Sequence, residues 1–343
     1  MKRPLTRIDD LIGAGLVDET RRAALETVAA RYAVALTPEM ADLIERGDAD
    51  DPIARQFIPR ADELETAPEE SADPIGDAAH SPLPGLVHRY PDRVLLKLTH
   101  ICPVYCRFCF RREMVGPAGD STMTAAEIDA ALAYIAAQPT IFEVIVTGGD
   151  PLILSSRRIA EITKRIAAIS HVRVLRWHSR VPVVRPGAIT QALVRALRHT
   201  RLAVYVAVHA NHAREFTPAA EAALARLADG GVALLSQSVL LRGVNDNVAA
   251  LSALMRAFVR NRVRPYYLHH GDLAPGTAHF RVPLDEGLAL VAALRGELSG
   301  LCQPSYVIDL PGGFGKVPVA SGRRLAGGWE FVDRQDRRHR YNS

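Results

Sequence analysis

The sequence contains little cysteine and few aromatic residues, and it has no long apolar run. Only 4 of its 343 residues are cysteine, and phenylalanine, tryptophan and tyrosine together make up 6%. This excludes a secreted disulfide scaffold, because such domains are rich in cysteine. No window reaches the roughly 20 apolar residues of a membrane helix, and the start, Met-Lys-Arg-Pro-Leu-Thr, lacks the apolar segment of a signal peptide. We therefore expect a cytoplasmic protein with reduced cysteines and no membrane association.

The rest of the composition is that of an ordinary globular protein, with 48% hydrophobic and 23% charged residues. A chain of this length suits one large α/β domain with an appendage. A solvated basic tail explains part of the formal net charge of +4, and nucleic-acid binding is not expected. The arginines of this tail are Arg323, Arg324, Arg334, Arg337, Arg338 and Arg340.

Shifts in pattern divide the chain into four segments. Helical spacing of apolar residues over 1–60 predicts a helical N-terminal appendage. The acidic, proline-containing stretch 61–84 predicts an extended connector. Residues 85–318 form the predicted core, and 319–343 are the basic C-terminal tail.

From Arg93 onward, short β-rich apolar runs alternate with longer amphipathic segments. Between the first two runs, Thr124 and Glu127 form a capping box that predicts the start of a helix. Such alternation predicts a parallel sheet of βαβ units, whose active-site residues gather at the carboxyl ends of the strands. The predicted strands are Val94–Leu98, Glu143–Thr147, Val172–Trp177, Leu202–Val208, Ala233–Val239, Arg264–His269 and Tyr306–Ile308.

Three of the four cysteines lie close together after the first predicted strand, at Cys102, Cys106 and Cys109. Thiolates hold iron–sulfur clusters, and three ligands to a four-iron cluster leave one iron open to a small molecule. A disulfide with one spare cysteine would suit a secreted chain, which this sequence does not resemble. Zinc needs a fourth ligand at zinc spacing, and neither His100 nor Cys302 stands at that spacing. The pattern favours a cluster, with zinc as the main alternative.

Two glycine-rich segments also follow predicted strands. In Thr147–Pro151, two adjacent glycines let the backbone approach a ligand closely, although a tight turn has the same composition. Asp309–Lys316 places a lysine at a glycine-rich strand end. Because Walker spacing and the following Ser or Thr are missing, this segment is not a P-loop. Spacing alone leaves open a surface lysine, a phosphate-binding lysine or a lysine that forms a Schiff base.

Together these segments resemble a known family. The cysteine loop, with Phe108 before its last cysteine, resembles the cluster loop of the radical S-adenosylmethionine (SAM) superfamily. The run 86–318 is similar to lysine 2,3-aminomutases, which are radical SAM enzymes that also use pyridoxal 5′-phosphate (PLP). The resemblance implies an α/β fold, a radical SAM partial (βα)6-type barrel with the helical appendage and a short C-terminal tail. The matching segments are 88–93, the cysteine loop with Arg111 and Arg112, 147–151, 237–246, 265–267, 272–273 and 311–316.

The resemblance also implies three cofactors: a [4Fe-4S] cluster, SAM and PLP. It places the cluster on the three cysteines of the loop. Lys316 matches the lysine that binds PLP as an imine, and Arg89 and Arg93 match the arginines that hold its phosphate. A guanidinium suits that task because it offers paired donors and a permanent charge. The other residues matched to cofactor binding are Gly148, Gly149, Asp150 and Gln237.

The implied substrate is L-lysine, whose α-amino group moves to Cβ through a 5′-deoxyadenosyl radical to give β-lysine. Arg111 matches the arginine that binds the substrate α-carboxylate, and Asp272 and Asp309 match the two aspartates that bind the distal ammonium. Two carboxylates favour a terminal cation and repel a glutamate side chain. Taken alone, Asp309 reads as a turn residue and Asp272 as the cap of a loop.

Three positions depart from the family pattern. Asn247 stands where clostridial-type enzymes have a zinc-ligating cysteine, and the chain ends soon after Lys316. The resemblance therefore does not extend to their C-terminal zinc site or to the tetramer that this zinc supports. Cys302 is expected to be a buried apolar residue, and His269 replaces a tyrosine that some relatives place near PLP.

Several alternatives stay open at this point. One is an aminomutase of the same type acting on another amino acid, and another is a role in supplying β-lysine for modification of elongation factor P. A non-catalytic sensor of iron or redox state would have no use for PLP. An enzyme modifying RNA or protein would be expected to carry an added binding module. Expected partners are an electron donor such as flavodoxin or ferredoxin and, possible in this family, further copies of the chain.

Overall fold

The computed structural model describes residues 3–48, 50–116 and 122–342. Nine strands form one sheet in the order of the chain, and three further strands form a separate small sheet. The strands are β1 (Leu86–Tyr90), β2 (Arg93–Thr99), β3 (Glu143–Gly148), β4 (Val174–Ser179), β5 (Ala203–His209), β6 (Ala233–Val239), β7 (Val263–His269), β8 (Ser305–Leu310), β9 (Gly315–Pro318), β10 (Arg323–Leu325), β11 (Gly328–Val332) and β12 (Arg338–Tyr341).

Helices precede the sheet and connect its strands. The first four belong to the N-terminal segment, and the others lie in the crossovers from β2 to β8. The α-helices are α1 (Ile8–Gly13), α2 (Arg22–Arg31), α3 (Pro38–Ala41), α4 (Pro52–Phe57), α5 (Ala125–Ala136), α6 (Ser156–Ala167), α7 (Val181–Val184), α8 (Gln191–Leu197), α9 (Pro218–Asp229), α10 (Val248–Arg260) and α11 (Leu284–Glu297).

The main sheet is a nearly closed barrel of parallel strands with an antiparallel strand at each end. Strands β2 to β8 pair in parallel, β1 pairs antiparallel with β2, and β9 pairs antiparallel with β8. The seven predicted strands correspond to β2–β8, and Thr124 caps α5 with Glu127 as its capping-box partner. The predicted architecture, an α/β partial barrel with a helical N-terminal appendage, is therefore confirmed.

The core lies between the barrel strands and the helices that surround them. Strands covered on both faces need continuous apolar runs, and Val144, Ile145 and Val146 of β3 are all buried. On α6, Ile159, Ile162 and Ile166 are fully buried because their spacing of three and four residues places them on one face.

Two segments differ from their sequence interpretation. The basic tail expected over 319–343 contains a folded antiparallel sheet, β10–β11–β12, which buries Phe331 and Tyr341. The acidic connector is not simply extended, since it buries Glu63 and Asp77 against arginines of the core. In both segments, charged side chains that the sequence analysis expected to be solvated form ion pairs instead.

The described residues include no helix with the length and apolar character needed to cross a bilayer.

Candidate active site

One cavity of about 340 Å³ opens at the carboxyl ends of the parallel strands. Loops after β2, β3 and β7 and the β8–β9 hairpin contribute its walls, as expected for a barrel of this kind. The structure brings every residue of the predicted site to this cavity. These residues are Arg89, Arg93, Cys102, Cys106, Cys109, Arg111, Gly148, Gly149, Asp150, Gln237, Asp272, Asp309 and Lys316.

The three loop cysteines are half-buried free thiols that line this cavity. Gly148, Gly149 and Asp150 at the end of β3 belong to the same lining. Three thiols that share one cavity can ligate a metal ion or an iron–sulfur cluster.

Burial raises the pKa of all three thiols, and neighbouring thiols reinforce the shift at Cys102 and Cys109. The pKa of Cys109 reaches about 11. Cys106 differs in having a cation beside it, because Nη1 of buried Arg180 donates to its Sγ at 2.8 Å. A thiolate formed on metal binding would be stabilised by this guanidinium.

Arg180 is itself fixed by a polar network that the sequence analysis missed. Its Nη2 donates to Glu215 at 2.7 Å and to Gln56 at 2.6 Å. The backbone N–H of Arg107 in the cysteine loop donates to the carbonyl of Gln56 at 2.8 Å. The N-terminal segment therefore helps to hold the cysteine loop, although no local motif marks Gln56 as important.

A buried ion cluster supports the same loop from the connector. Glu63 is fully buried and accepts from Nε of Arg107 at 3.0 Å, and it also pairs with Arg112. Nη1 of Arg112 donates to the carbonyl of Gly276 at 3.0 Å. These contacts connect the cysteine loop to the loop after β7.

The two glycines at the end of β3 allow a close approach between two backbone segments. Gly148 has a φ of +114°, and a Cβ there would lie 2.4 Å from the carbonyl oxygen of Thr99. A Cβ on Gly149 would lie 2.4 Å from the carbonyl oxygen of Ile101. The structural reason for this pair is contact with the start of the cysteine loop, although both glycines also line the cavity.

Asp150 is buried, and its carboxylate accepts hydrogen bonds mainly from backbone N–H groups. Its carboxylate accepts from the hydroxyl of Ser179 at 2.8 Å and from the backbone N–H groups of Leu152, Arg180 and Val181 at 2.7–3.1 Å. Burial nevertheless raises its pKa, against the effect of these donors. The carboxylate ties the loop after β3 to the end of β4.

The β8–β9 hairpin explains the position of Lys316. Asp309 and Lys316 are direct cross-strand partners, so their side chains emerge side by side. Lys316 Nζ pairs with the Asp309 carboxylate and lies 3.3 Å from Nδ1 of His269. The backbone N–H of Lys316 donates to the Tyr90 hydroxyl at 2.8 Å. The tight turn between the strands uses glycines at positive φ.

The two carboxylates of this region have opposite pKa shifts, and the pKa of the neighbouring histidine is lowered. Although burial acts to raise it, the pKa of Asp309 lies below its usual range because Lys316 and His269 are adjacent. Burial and the Asp309 carboxylate raise the pKa of Asp272 to about 7. Burial and the Lys316 ammonium lower the pKa of His269 to about 4. Among the described residues, no side chain hydrogen-bonds or pairs with the Asp272 carboxylate, which faces the cavity.

Arg89 and Arg111 meet on one buried carboxylate, that of Asp77 in the connector. Each guanidinium donates to Asp77 at 3.0 Å, one to each oxygen, and Lys97 Nζ lies 3.6 Å away. Both arginines keep a buried Nε with no hydrogen-bond partner within the described ranges. Arg93 lies apart from this group, pairing with Asp92 at 2.8 Å. Sequence reasoning missed Asp77 because it stands among other acidic residues of a segment without a motif.

Histidines at the strand ends complete the lining. His178 of β4 and His209 of β5 each keep a buried Nε2 without a partner in the described structure. Gln237 places its side-chain amide 3.2 Å from Nε2 of His269. The strand-end rule for parallel barrels could have identified both His178 and His209.

Asn247 and Cys302, both discussed in the sequence analysis, have structural roles outside the cavity. Asn247 is the N-cap of α10, where its side chain accepts from the N–H of Ala250. Cys302 is buried within the apolar core, as predicted.

Comparison with known proteins identifies the family. A radical SAM superfamily profile matches residues 96–252. L-lysine 2,3-aminomutase of Clostridium subterminale is 44% identical over 286 residues, covering 83% of this chain and 68% of that protein. The same enzyme of Fusobacterium nucleatum subsp. nucleatum is 40% identical over 319 residues, covering 93% and 75%. Glutamate 2,3-aminomutase of Clostridioides difficile is 33% identical over 328 residues, covering 96% and 77%. The chain belongs to the lysine 2,3-aminomutase family of the radical SAM superfamily.

Proposed function

We propose that this enzyme converts L-lysine to β-lysine by moving the α-amino group to Cβ, using a [4Fe-4S] cluster, SAM and PLP. One observation carries the proposal: a single cavity is lined by Lys316, by the arginine matched to an α-carboxylate and by two carboxylates suited to an ammonium group. Two relatives that are 44% and 40% identical are lysine enzymes, which supports the same assignment.

The residues of the cysteine loop fit a cluster with one open iron. Cys102, Cys106 and Cys109 would be its ligands, and Arg180 would offset part of the thiolate charge at Cys106. Gly148 and Gly149 place backbone at the cavity wall, where SAM would lie. When bound, the reduced cluster and SAM supply the carbon radical that removes a hydrogen atom from Cβ of the substrate.

A second group of cavity residues, Lys316, Arg89 and Arg93, fits PLP. Lys316 would bind its aldehyde carbon, and Arg89 and Arg93 would hold its phosphate. The orphan Nε of Arg89 is a donor available for that purpose, and the ring of Tyr267 lies 5.5 Å from Lys316 Nζ. When bound, PLP supplies a carbon that bonds to an amino group and a conjugated ring that delocalises an unpaired electron.

The remaining residues would position the amino acid. Arg111 would bind the α-carboxylate through its free Nε, while Asp77 holds the other side of the guanidinium. Asp272 and Asp309 would bind the distal ammonium. Because buried side chains line the cavity, a bound substrate would have its reacting atoms held in place and shielded from water. A carbon radical needs this shielding, since it would otherwise react with nearby molecules.

The two carboxylates distinguish this site from that of a glutamate enzyme. A substrate ending in a carboxylate would meet Asp272 and Asp309 with like charge at short range in a partly buried site. The Clostridioides difficile relative shows that the family also contains an enzyme named for glutamate, so membership alone does not decide the substrate.

The test is an anaerobic assay of protein reconstituted with iron, sulfide and PLP, then supplied with L-lysine, SAM and dithionite. We expect a product with the mass of lysine and the retention time of β-lysine, and no turnover when SAM is omitted. Replacing dithionite by flavodoxin or ferredoxin with its reductase tests the expected class of electron donor. Product from glutamate but not from lysine would place the protein among aminomutases of other amino acids.

A further inference from the structure

The Asp272–Asp309 pair contains one satisfied carboxylate and one unsatisfied carboxylate. Asp309 is paired with Lys316, its direct cross-strand neighbour, and lies 3.7 Å from Nδ1 of His269. Arg89 approaches Asp309 only to 3.9 Å and is bound to Asp77 at 3.0 Å. Asp272 lines the same cavity and has no side-chain partner among the described residues. Before any ligand binds, the pair therefore has one ammonium for two carboxylates.

The histidine beside the pair adds no positive charge at neutral pH. Burial and the Lys316 ammonium lower the pKa of His269 to about 4, so its ring is neutral. Arg111 and Lys97 are both engaged with Asp77. Asp272 therefore keeps no paired cation of its own among the described residues, whereas Asp309 is paired with Lys316.

The proton balance of cofactor exchange supplies a second ammonium. In the proposed function, Lys316 Nζ is bonded to the aldehyde carbon of PLP before the substrate binds. The α-amino nitrogen of the substrate forms a bond to that carbon, and the bond from Lys316 Nζ breaks. The substrate enters with three hydrogens on its α-nitrogen, as an ammonium group, and Lys316 Nζ starts with one on its protonated double bond to carbon. The α-nitrogen keeps one hydrogen in the new double bond, and the two protons that it loses end on Lys316 Nζ. Nothing is oxidised or reduced, and Lys316 leaves as an ammonium ion.

After this exchange, two ammonium groups share the site: that of Lys316 and the distal one of lysine. We propose that the two carboxylates serve both at once, with Asp309 as the counter-ion of released Lys316 and Asp272 as the principal partner of the substrate ammonium. The hairpin register supports this division, because it holds Lys316 next to Asp309 and leaves Asp272 open. The inference rests on the proposed function and deepens it, since it connects substrate selection to the release of Lys316.

The division gives Asp309 a role that does not depend on the substrate side chain. Norleucine has the carbon chain of lysine without the distal ammonium, so with norleucine the only ammonium to be accommodated is that of Lys316. If Asp309 served the substrate ammonium alone, its loss would not affect norleucine. If Asp309 stabilises released Lys316, its loss weakens exchange with norleucine as well.

The experiment measures the exchange without turnover. PLP-loaded protein, without SAM or reductant, is titrated with L-lysine or L-norleucine and then treated with borohydride. Peptide mapping gives the fraction of PLP fixed to Lys316, and the rest is recovered as the reduced amino-acid adduct. In the wild type we expect half-release at a lysine concentration at least tenfold below that for norleucine.

The two variants separate the two carboxylates. In Asp309→Asn, half-release by norleucine should require at least tenfold more amino acid than in the wild type, and Asp309→Glu should restore most of it. In Asp272→Asn, the advantage of lysine over norleucine should fall to within threefold. PLP content and thermal melting are measured for each protein. If Asp309→Asn does not retain PLP, Asp272→Asn carries the test, and an advantage of lysine over norleucine that stays tenfold or more in this variant would contradict the proposal.

The outcomes distinguish this inference from the proposed function. If wild-type protein releases Lys316 equally with lysine and norleucine, or if PLP is fixed elsewhere than on Lys316, the proposed function itself is wrong. If the wild type prefers lysine and Asp309→Asn leaves norleucine release unchanged, the proposed function stands and the division of the carboxylates is overturned.

Discussion

At the scale of single residues, Asp272 is the carboxylate in the cavity with the least compensation. Burial and the Asp309 carboxylate raise its pKa to about 7, so below that pH it is mostly neutral and offers a lysine ammonium no counter-charge. We expect kcat/KM for lysine to increase as the pH rises through about 7. In Asp272→Asn this limb of the profile should disappear. If the variant shows the same rise in kcat/KM with pH, the rise comes from the titration of another group.

Asp77 connects Arg89 and Arg111, the arginines proposed to bind the PLP phosphate and the substrate α-carboxylate. The cations around it outweigh the effect of burial and keep its pKa below the usual value. Asp77→Asn leaves Arg89, Arg111 and Lys97 without their common anion, a change that typically costs about 3–5 kcal/mol at a buried site. We expect a lower PLP content and a higher KM for lysine, with partial recovery in Asp77→Glu. Asp129→Asn, which removes an exposed partner of Arg165, is the control and should change neither value.

The cysteines offer a matched pair for testing the cluster. Wild-type protein should hold about four irons per chain. Cys106→Ala should remove the iron, because the loop supplies only three thiolates and the cluster needs all of them. Cys302→Ala removes a thiol that is buried in the apolar core and should leave the iron content unchanged. Full iron content in the Cys106 variant would contradict the assignment.

Residues with fixed spacing were accessible to sequence reasoning, and residues that act through long-range contacts were not. The cysteines and Lys316 belong to compact motifs, so their convergence on one cavity could be expected once the strands were recognised. Asp77 and Arg180 meet their partners over 12 to 124 positions of the chain, and nothing local marks them.

At the scale of elements, the β8–β9 hairpin sets the geometry of the proposed PLP lysine, and the connector stabilises the cysteine loop. Glu63 in the connector is fully buried with Arg107 and Arg112. Removing one partner of such a group leaves buried charge uncompensated at a typical cost of about 3–5 kcal/mol. This element therefore has a larger role than its composition indicates.

Glu63→Gln should accordingly lower the thermal midpoint and reduce the iron content after reconstitution. The control is Glu330→Gln in the small C-terminal sheet, where the glutamate also pairs with two arginines, but with largely exposed ones, Arg323 and Arg338. Exposed pairs contribute little to stability. Equal effects of the two substitutions would show that burial is not what makes the connector cluster important.

The small C-terminal sheet was not predictable from its sequence for a physical reason. Its strands carry many arginines, a pattern that indicates a solvated tail when strand pairing is unknown. In the structure, Glu330 lies opposite Arg323 and Arg340, so cross-strand charge pairs replace part of the expected solvation. Phe331 and Tyr341 then anchor the sheet to the core.

At the scale of the whole molecule, the barrel brings the proposed cluster ligands, the candidate PLP lysine and the proposed substrate-binding residues to one opening. When strands and helices alternate, the strands run parallel and their carboxyl ends meet at the same end of the barrel. The residues that follow the strands therefore converge there. The order of segments, more than any single motif, accounts for the success of the sequence-based assignment of the fold. The substrate depends instead on a few side chains in the cavity, chiefly Asp272 and Asp309.

The most direct test of the central claim is a competition among substrates. Reconstituted enzyme with SAM and dithionite is supplied with an equimolar mixture of L-lysine, L-ornithine, L-arginine and L-glutamate, and the β-amino acids formed are identified by chromatography and mass. We expect β-lysine as the main product, and a loss of its formation by a hundredfold or more in Asp272→Asn, since each tenfold corresponds to about 1.4 kcal/mol and a buried charge is left unpaired. β-Glutamate as a substantial wild-type product, or undiminished β-lysine formation in the variant, would contradict the assignment of this cavity to lysine.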